Sequence, residues 1–194
     1  MENSTAIAEK FTSADLALMP EDGKRYEIID GELYVSGQPR FEHQYICTQV
    51  GYLLADWNEE RNLGVVLPAP GLIFGRHDDV APDVVWITRQ RLAKALDEGG
   101  HLTIAPELVI EVLSPGKANQ ERDREVKLNL YSRRGVGEYW IVSWMQRFVE
   151  VYRREDVALR LVATLHDTDT LTSPLLPGFS CPVSKLFFQE SLFR

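Results

Sequence analysis

Six residues, 108–113, constrain this chain more than any others. They read Leu-Val-Ile-Glu-Val-Leu, aliphatic throughout except for one carboxylate, Glu111. A continuous apolar run of that length suits a strand buried on both faces. An unpaired carboxylate buried there would cost on the order of 3 kcal/mol or more, so Glu111 requires a cation, a hydrogen-bond partner or an opening at the strand end. Ser114-Pro115-Gly116 breaks the strand, and the charged stretch 120–134 reads as a helix stopped by Gly135. Asp123, Lys127 and Tyr131 recur every four residues and so share one face of that helix. The unit is a strand bearing a carboxylate, a turn, and a helix bearing a lysine. Upstream, 81–87 repeats the theme as Ala-Pro-Asp-Val-Val-Trp-Ile, with Asp83 at the mouth of a second apolar strand.

The rest of the chain supplies the frame. Residues 11–19 read as a short helix started by Thr12 or Ser13 and stopped by Pro20. Residues 26–29 and 33–35 read as strands around Asp30-Gly31, a strong hairpin signal, with Glu32 directly after the turn. The best helix is 41–60, where Ile46, Val50, Leu53, Leu54 and Trp57 form one apolar stripe. Strands are expected at 65–67, 72–74 and 84–87, then a short helix at 89–97. Residues 138–142 and 148–153 read as an antiparallel pair, and 159–165 alternates as a half-buried strand should. Hairpins combined with one strand–helix–strand unit imply an α/β or α+β fold with a mixed sheet. A length of 194 residues fits one domain over 1–194, with 1–10 a loose tail.

Charge narrows the function classes. A net charge of −8 argues against a protein that coats DNA nonspecifically, but leaves room for a local basic patch or a metal-bridged phosphate contact. Cys47 and Cys181 have no metal-ligand spacing; with no apolar signal segment at the N-terminus, they are expected as free thiols in a reducing cytoplasm. No stretch approaches the roughly 18 apolar residues of a membrane span.

The order of these features resembles the Uma-two family. The residues that carry the resemblance are Asp30-Gly31-Glu32, Pro82-Asp83 before a strand, Glu111-Val112-Leu113-Ser114-Pro115 after one, a helix lysine, and Glu138-Tyr139-Trp140. That family is similar in fold to restriction endonucleases of the PD-(D/E)XK type, so the resemblance implies a central mixed sheet flanked by helices. It also implies a metal-dependent endonuclease using Mg²⁺ or Mn²⁺, with Asp83, Glu111 and the Val112 carbonyl as ligands and Glu32 as an accessory acid. The superfamily's lysine position, two residues after the second acid, is Leu113 here. The resemblance puts the lysine on the helix as Lys127. Lys117 is the competitor, but it lies beside Gly116 with no helix to position it.

Asp83 and Glu111 offer hard oxygen ligands, which suit Mg²⁺ or Mn²⁺. Lys127 would orient a water or neutralise developing charge. Each also has a plainer reading: Asp83 as a strand cap, Glu111 and Lys127 as a buried ion pair, Glu32 as a surface acid. His43 reads as a helix histidine, with a phosphate contact as the alternative, and Asp123 as a helix partner of Lys127. Two functions therefore stand: a nuclease acting on nucleic acid, DNA before RNA, or a nuclease-like fold kept as a binding or regulatory module. Phe187, Phe188, Leu192 and Phe193 predict an apolar patch and a homodimer.

Overall fold

The computed structural model describes residues 10–188. In chain order the elements begin with α1 (Ser13–Leu16), β1 (Arg25–Ile29), β2 (Glu32–Ser36), α2 (Phe41–Arg61), β3 (Gly64–Pro68), β4 (Leu72–Gly75), β5 (Asp78–Val80) and β6 (Val84–Thr88). There follow α3 (Arg89–Ala95), β7 (Leu108–Val112), α4 (Lys117–Glu121), a π-helical segment (Arg122–Lys127) and α5 (Leu128–Arg134). The chain continues through β8 (Glu138–Ser143), β9 (Phe148–Glu155), β10 (Ala158–His166), β11 (Thr170–Thr172), β12 (Ser180–Pro182) and a 3₁₀ turn at Val183–Leu186.

The expected strands 84–87, 108–113 and 138–142 lie together in a six-stranded sheet of order β10-β9-β8-β7-β6-β3. Only β7 and β8 run parallel; the other pairings are antiparallel, so the sheet is mixed. Parallel neighbours need a crossover, and the helical stretch 117–134 provides it. A second sheet has the order β2-β1-β5-β4. Its β1–β2 hairpin turns on Asp30 and Gly31, both at positive φ (56° and 80°), the paired left-handed conformation of the tightest hairpins.

Alternation assigns the two faces of the large sheet. Leu108, Ile110, Val112, Val84, Trp86 and Trp140 pack with the α2 stripe of Ile46, Val50, Leu54 and Trp57. Val109, Leu113, Val85, Ile87, Tyr139 and Ile141 pack with Leu130 and Tyr131 of α5. Each such fully buried side chain contributes roughly 1.5–3 kcal/mol of transfer free energy. Glu111 is in step with Val109 and Leu113, so it faces α5 rather than α2.

Several expectations change. The helix at 11–19 shrinks to one turn, Ser13–Leu16, closed by a box in which Thr12 and Asp15 bond each other. No strand was expected at β5, which pairs with β1 and β4. The helix at 120–134 begins three residues earlier, and its middle is π rather than α. The wider turn has a local cause: the Tyr139 hydroxyl donates to the Asp123 carbonyl at 3.1 Å, a bond that competes with the helix's own ladder. Of the four groups behind the homodimer expectation, Phe187 is buried in the core and Phe188 stacks edge-on against Phe41 and Tyr45. Leu192, Phe193 and the tail over 1–9 lie outside the described residues.

Candidate active site

The register of β6 against β7 builds the site. Val84 pairs with Ile110 and Val85 with Val109. One step further along, Asp83 and Glu111 fall opposite each other, and opposed residues of an antiparallel pair project to the same face. That face is the one covered by the helix carrying Lys127. The two carboxylates and the lysine line one cavity of about 370 Å³, together with Val112, Asp123 and His43.

Asp83 is almost buried and heavily engaged. Arg25 Nη1 reaches its Oδ1 at 2.9 Å; the Val112 amide donates to Oδ2 at 2.9 Å and His43 Nε2 lies 3.0 Å from Oδ2. Burial works against its charge, but the His43 bond and the charges of His43, Arg25 and Lys127 outweigh it and hold the carboxyl well below its usual range. An ionised Asp83 only accepts, so His43 carries its proton on Nε2. Its Nδ1 lies 3.5 Å from Cys47 Sγ. Burial pushes the Cys47 thiol up, which keeps it protonated. His43, Cys47 and Asp83 bring ligand atoms within 4.8 Å of one another, a grouping that could suit a soft metal. A neutral thiol and a ring bonded at both nitrogens make a hydrogen-bond relay instead.

Lys127, 1% exposed, is held from two sides: its Nζ lies 2.9 Å from Glu111 Oε1 and 3.0 Å from Glu27 Oε1. Burial opposes its charge, but the Glu111 and Glu27 carboxylates overcome this and raise the ammonium above its ordinary range. The Tyr131 hydroxyl adds a bond to Glu111 Oε1 at 2.8 Å. Burial, against the pull of Lys127, pushes the Glu111 carboxyl up to about 8. Asp123 is raised for the same reason, with Lys127 and Arg122 pulling the other way.

Charge counting explains these upward shifts. Glu27, Asp83, Glu111 and Asp123 are all buried, whereas the permanent cations among them are Arg25, Arg122 and Lys127. Four buried acids thus face three permanent cations, with His43 beside Asp83 as a further basic group. Glu111 Oε2 has no hydrogen-bond partner among the described residues, and Asp83 Oδ1 has one. The Val112 carbonyl projects to the same strand edge as its amide, toward Asp83. An all-oxygen donor set of this kind fits a small hard divalent cation.

A family model described as "Putative restriction endonuclease", Uma2, matches residues 13–184. The chain belongs to the Uma2 family. No curated protein matches it. Among solved structures, this Uma2 chain is similar to a putative nuclease belonging to DUF820 from Anabaena variabilis. The TM-score is 0.72 at 18% identity, covering 91% of this chain and 97% of the other, which shows a shared fold. It also matches the type IIG restriction endonuclease BpuSI at a TM-score of 0.41 and 13% identity, over 74% of this chain and 14% of that one, a likeness too loose to argue from. The fold is thus restriction-endonuclease-like.

Sequence reasoning placed Asp83, Glu111, Val112 and Lys127 in one site, and the structure brings them to one cavity. Glu32 needs correcting: it is exposed on β2, beside the Tyr34 hydroxyl at 3.4 Å, and does not line the cavity. The acid that joins the cluster from this hairpin is Glu27, on the strand before the turn. Its signal was present as a lone acid in the apolar run Tyr26-Glu27-Ile28-Ile29. Lys117 is exposed and pairs with Glu121 at 3.4 Å. His43 was read as a helix histidine; it is 7% exposed and reaches Asp83. Arg25 was missed, because nothing in the sequence shows that β1 crosses the end of β6.

Proposed function

We propose that this Uma2 chain hydrolyses phosphodiester bonds in nucleic acid, DNA before RNA, with Mg²⁺ or Mn²⁺ held by Asp83, Glu111 and the Val112 carbonyl. The observation that carries the reading is the opposition of Asp83 and Glu111 on one face, with the Lys127 ammonium 2.9 Å from Glu111. The family description supports it. So does the cavity wall: Lys24, Arg25, Arg122, Gln38 and Gln44 give a net-acidic protein a local phosphate-binding face. A second cavity of about 420 Å³ shares Ser36, Gln38, His43 and Ser114 with the first, extending the trough toward Asn119.

A divalent cation bound there lowers the pKa of a water and withdraws charge from a phosphate oxygen. The chain's own residues do the rest. Glu27 and Glu111 keep Lys127 charged and aimed, so that it can neutralise charge developing on the phosphorus oxygens. Tyr131 fixes the Glu111 rotamer, and the Cys47–His43 relay fixes that of Asp83. Arg25 balances the Asp83 charge across a 2.9 Å ion pair.

The binding-module reading rests on one observation: Lys127 bridges Glu27 and Glu111, and Arg25 caps Asp83, a closed network that would keep this geometry without chemistry. Plasmid and single-stranded DNA and RNA, incubated with the protein in Mg²⁺, Mn²⁺ or EDTA, separate the two. The nuclease reading expects cleavage that EDTA and Asp83→Asn both abolish. Measurable Mg²⁺ binding without cleavage of any substrate would leave the binding module.

A further inference from the structure

Among the described residues, the lysines and arginines lining the cavity are Lys24, Arg25, Arg122 and Lys127. Three of them are occupied. Lys127 is buried between Glu27 and Glu111. The Arg122 side chain is 11% exposed, with Nη1 on Ser36 Oγ at 2.7 Å. Lys24 pairs with Asp22 at 2.6 Å on the rim. Arg25 differs. One nitrogen, Nη1, makes its hydrogen bonds, to the Ala81 carbonyl at 3.0 Å and to Asp83 Oδ1 at 2.9 Å. Nε and Nη2 bond nothing among the described residues. Neither is sealed in: the side chain is 34% exposed, and both nitrogens keep accessible surface.

The strand holds this guanidinium still. Arg25 opens β1, and strand alternation puts it on the same face as Glu27. The two residues grip one peptide from both ends. Arg25 donates to the Ala81 carbonyl, and the Ala81 amide donates to Glu27 Oε1 at 3.0 Å. The group is thus anchored at one corner, beside Asp83. It is planar and rigid, so the edge carrying Nε and Nη2 faces away from the nitrogen that holds Asp83. Two parallel N–H groups on such an edge match two oxygens of a phosphate.

We propose that Arg25 is the phosphate clamp of this site. Nη1 fixes it against Ala81 and Asp83, while Nε and Nη2 take two oxygens of a phosphodiester beside the Asp83–Glu111 pair. The inference rests on the phosphodiesterase reading above and assigns the grip to one residue of the cationic wall. A lysine here could still pair with Asp83, but it has no second edge to offer. The clamp reads phosphate and no base, so Arg25 fixes the position of the substrate backbone without selecting a sequence.

The test compares wild type, Arg25→Lys and Arg133→Lys by calorimetric titration with inorganic phosphate in EDTA, Mg²⁺ titration, thermal melting and cleavage kinetics. Arg133 is the control, an ion-paired arginine of similar exposure that does not line the cavity. Arg25→Lys is expected to lose about tenfold or more in phosphate affinity, as a two-point charged contact is removed. Its Mg²⁺ affinity stays within about twofold of wild type and its Tm stays close, because the lysine still faces Asp83. Cleavage falls by a similar factor in kcat/KM, carried by KM. Arg133→Lys keeps the wild-type phosphate affinity. A wild-type crystal soaked in phosphate should carry phosphate oxygens within hydrogen-bond reach of Nε and Nη2, a reading that needs no variant to fold. Unchanged phosphate affinity in Arg25→Lys, or phosphate seated elsewhere in the crystal, overturns the clamp. So does a joint fall in phosphate affinity, Mg²⁺ affinity and Tm, which makes Arg25 a counter-charge to Asp83 and nothing more. Phosphate binding that depends on Arg25 in a protein that cuts nothing upholds the clamp and brings down the phosphodiesterase reading.

Discussion

Glu138 and Glu111 sit on neighbouring parallel strands, one where β8 begins and the other where β7 ends. Both are carboxylates in apolar runs, at 0% and 2% exposure. Their surroundings part there. Glu138 uses both oxygens: Trp140 Nε1 donates to Oε1 at 2.7 Å, while Ser173 Oγ at 2.9 Å and Arg153 Nε at 3.3 Å serve Oε2. Glu111 receives both of its bonds on Oε1 and none on Oε2. Equal burial therefore says little about role. The protein itself fills the capacity of Glu138; the capacity left over on Glu111, beside a cavity, is what the proposed ligand role of that acid draws on.

The largest effect that could break this contrast is Lys127→Ala. It strips out the cation that buried Glu27 and Glu111 share and should cost about 3–5 kcal/mol of stability, measured by urea unfolding at neutral pH, along with cleavage. A near-neutral change would mean that solvent already screens the cluster. Next comes Glu138→Ala, which strands the Trp140 and Ser173 donors and the Arg153 charge. It should cost about 2–3 kcal/mol while cleavage per folded molecule stays at the wild-type rate. Lost activity in a folded Glu138 variant would erase the distinction between the two acids.

A pH series sharpens it. Unfolded, Glu111 ionises near 4.5; folded, burial holds its proton up to about 8. Its folded pKa is the higher one, so its share of stability is whole below pH 4.5 and is lost as pH climbs toward 8. In EDTA, wild type should lose stability over that window relative to Glu111→Gln, which has no proton to release. A constant gap between the two melting curves would show that Lys127 cancels the burial. The smallest effect is expected of Glu32→Ala, an exposed change worth less than about 0.5 kcal/mol with cleavage unaltered. Strong loss of activity there would restore Glu32 to the site.

How much of this could be read beforehand follows from the range of each force. Glu111 and Asp83 stood out because a charge in a strand is expensive, and that expense is local. Lys127 came from the family resemblance; helical spacing showed only that it shares a face with Asp123 and Tyr131. Glu27 escaped because a strand with one polar residue looks like ordinary half-buried alternation until the partner sheet is known. Arg25 and His43 meet Asp83 from elements 58 and 40 residues away in sequence, and no local preference encodes such a meeting. The π segment depends on a Tyr139 hydroxyl from another strand, so helix propensity could not announce it. The hairpins β1–β2 and β8–β9 were legible from local signals; the short strands β5, β11 and β12, the pairing of strands distant in the chain, and the split into two sheets were not.

The register of β6 on β7 has one more consequence, for where this chain can change length. Strand pairing has a period of two, so a shift of one residue turns every side chain to the other face. One residue inserted among 84–88 or 108–110 would turn Asp83 or Glu111 away from Lys127 and into the wall of Trp86, Trp140 and Ile46. The exposed loop 97–101 between those strands can lengthen without moving either acid. The site is thus two pieces of fixed length joined by an adjustable spacer. That spacer is where a tag or a guest loop belongs.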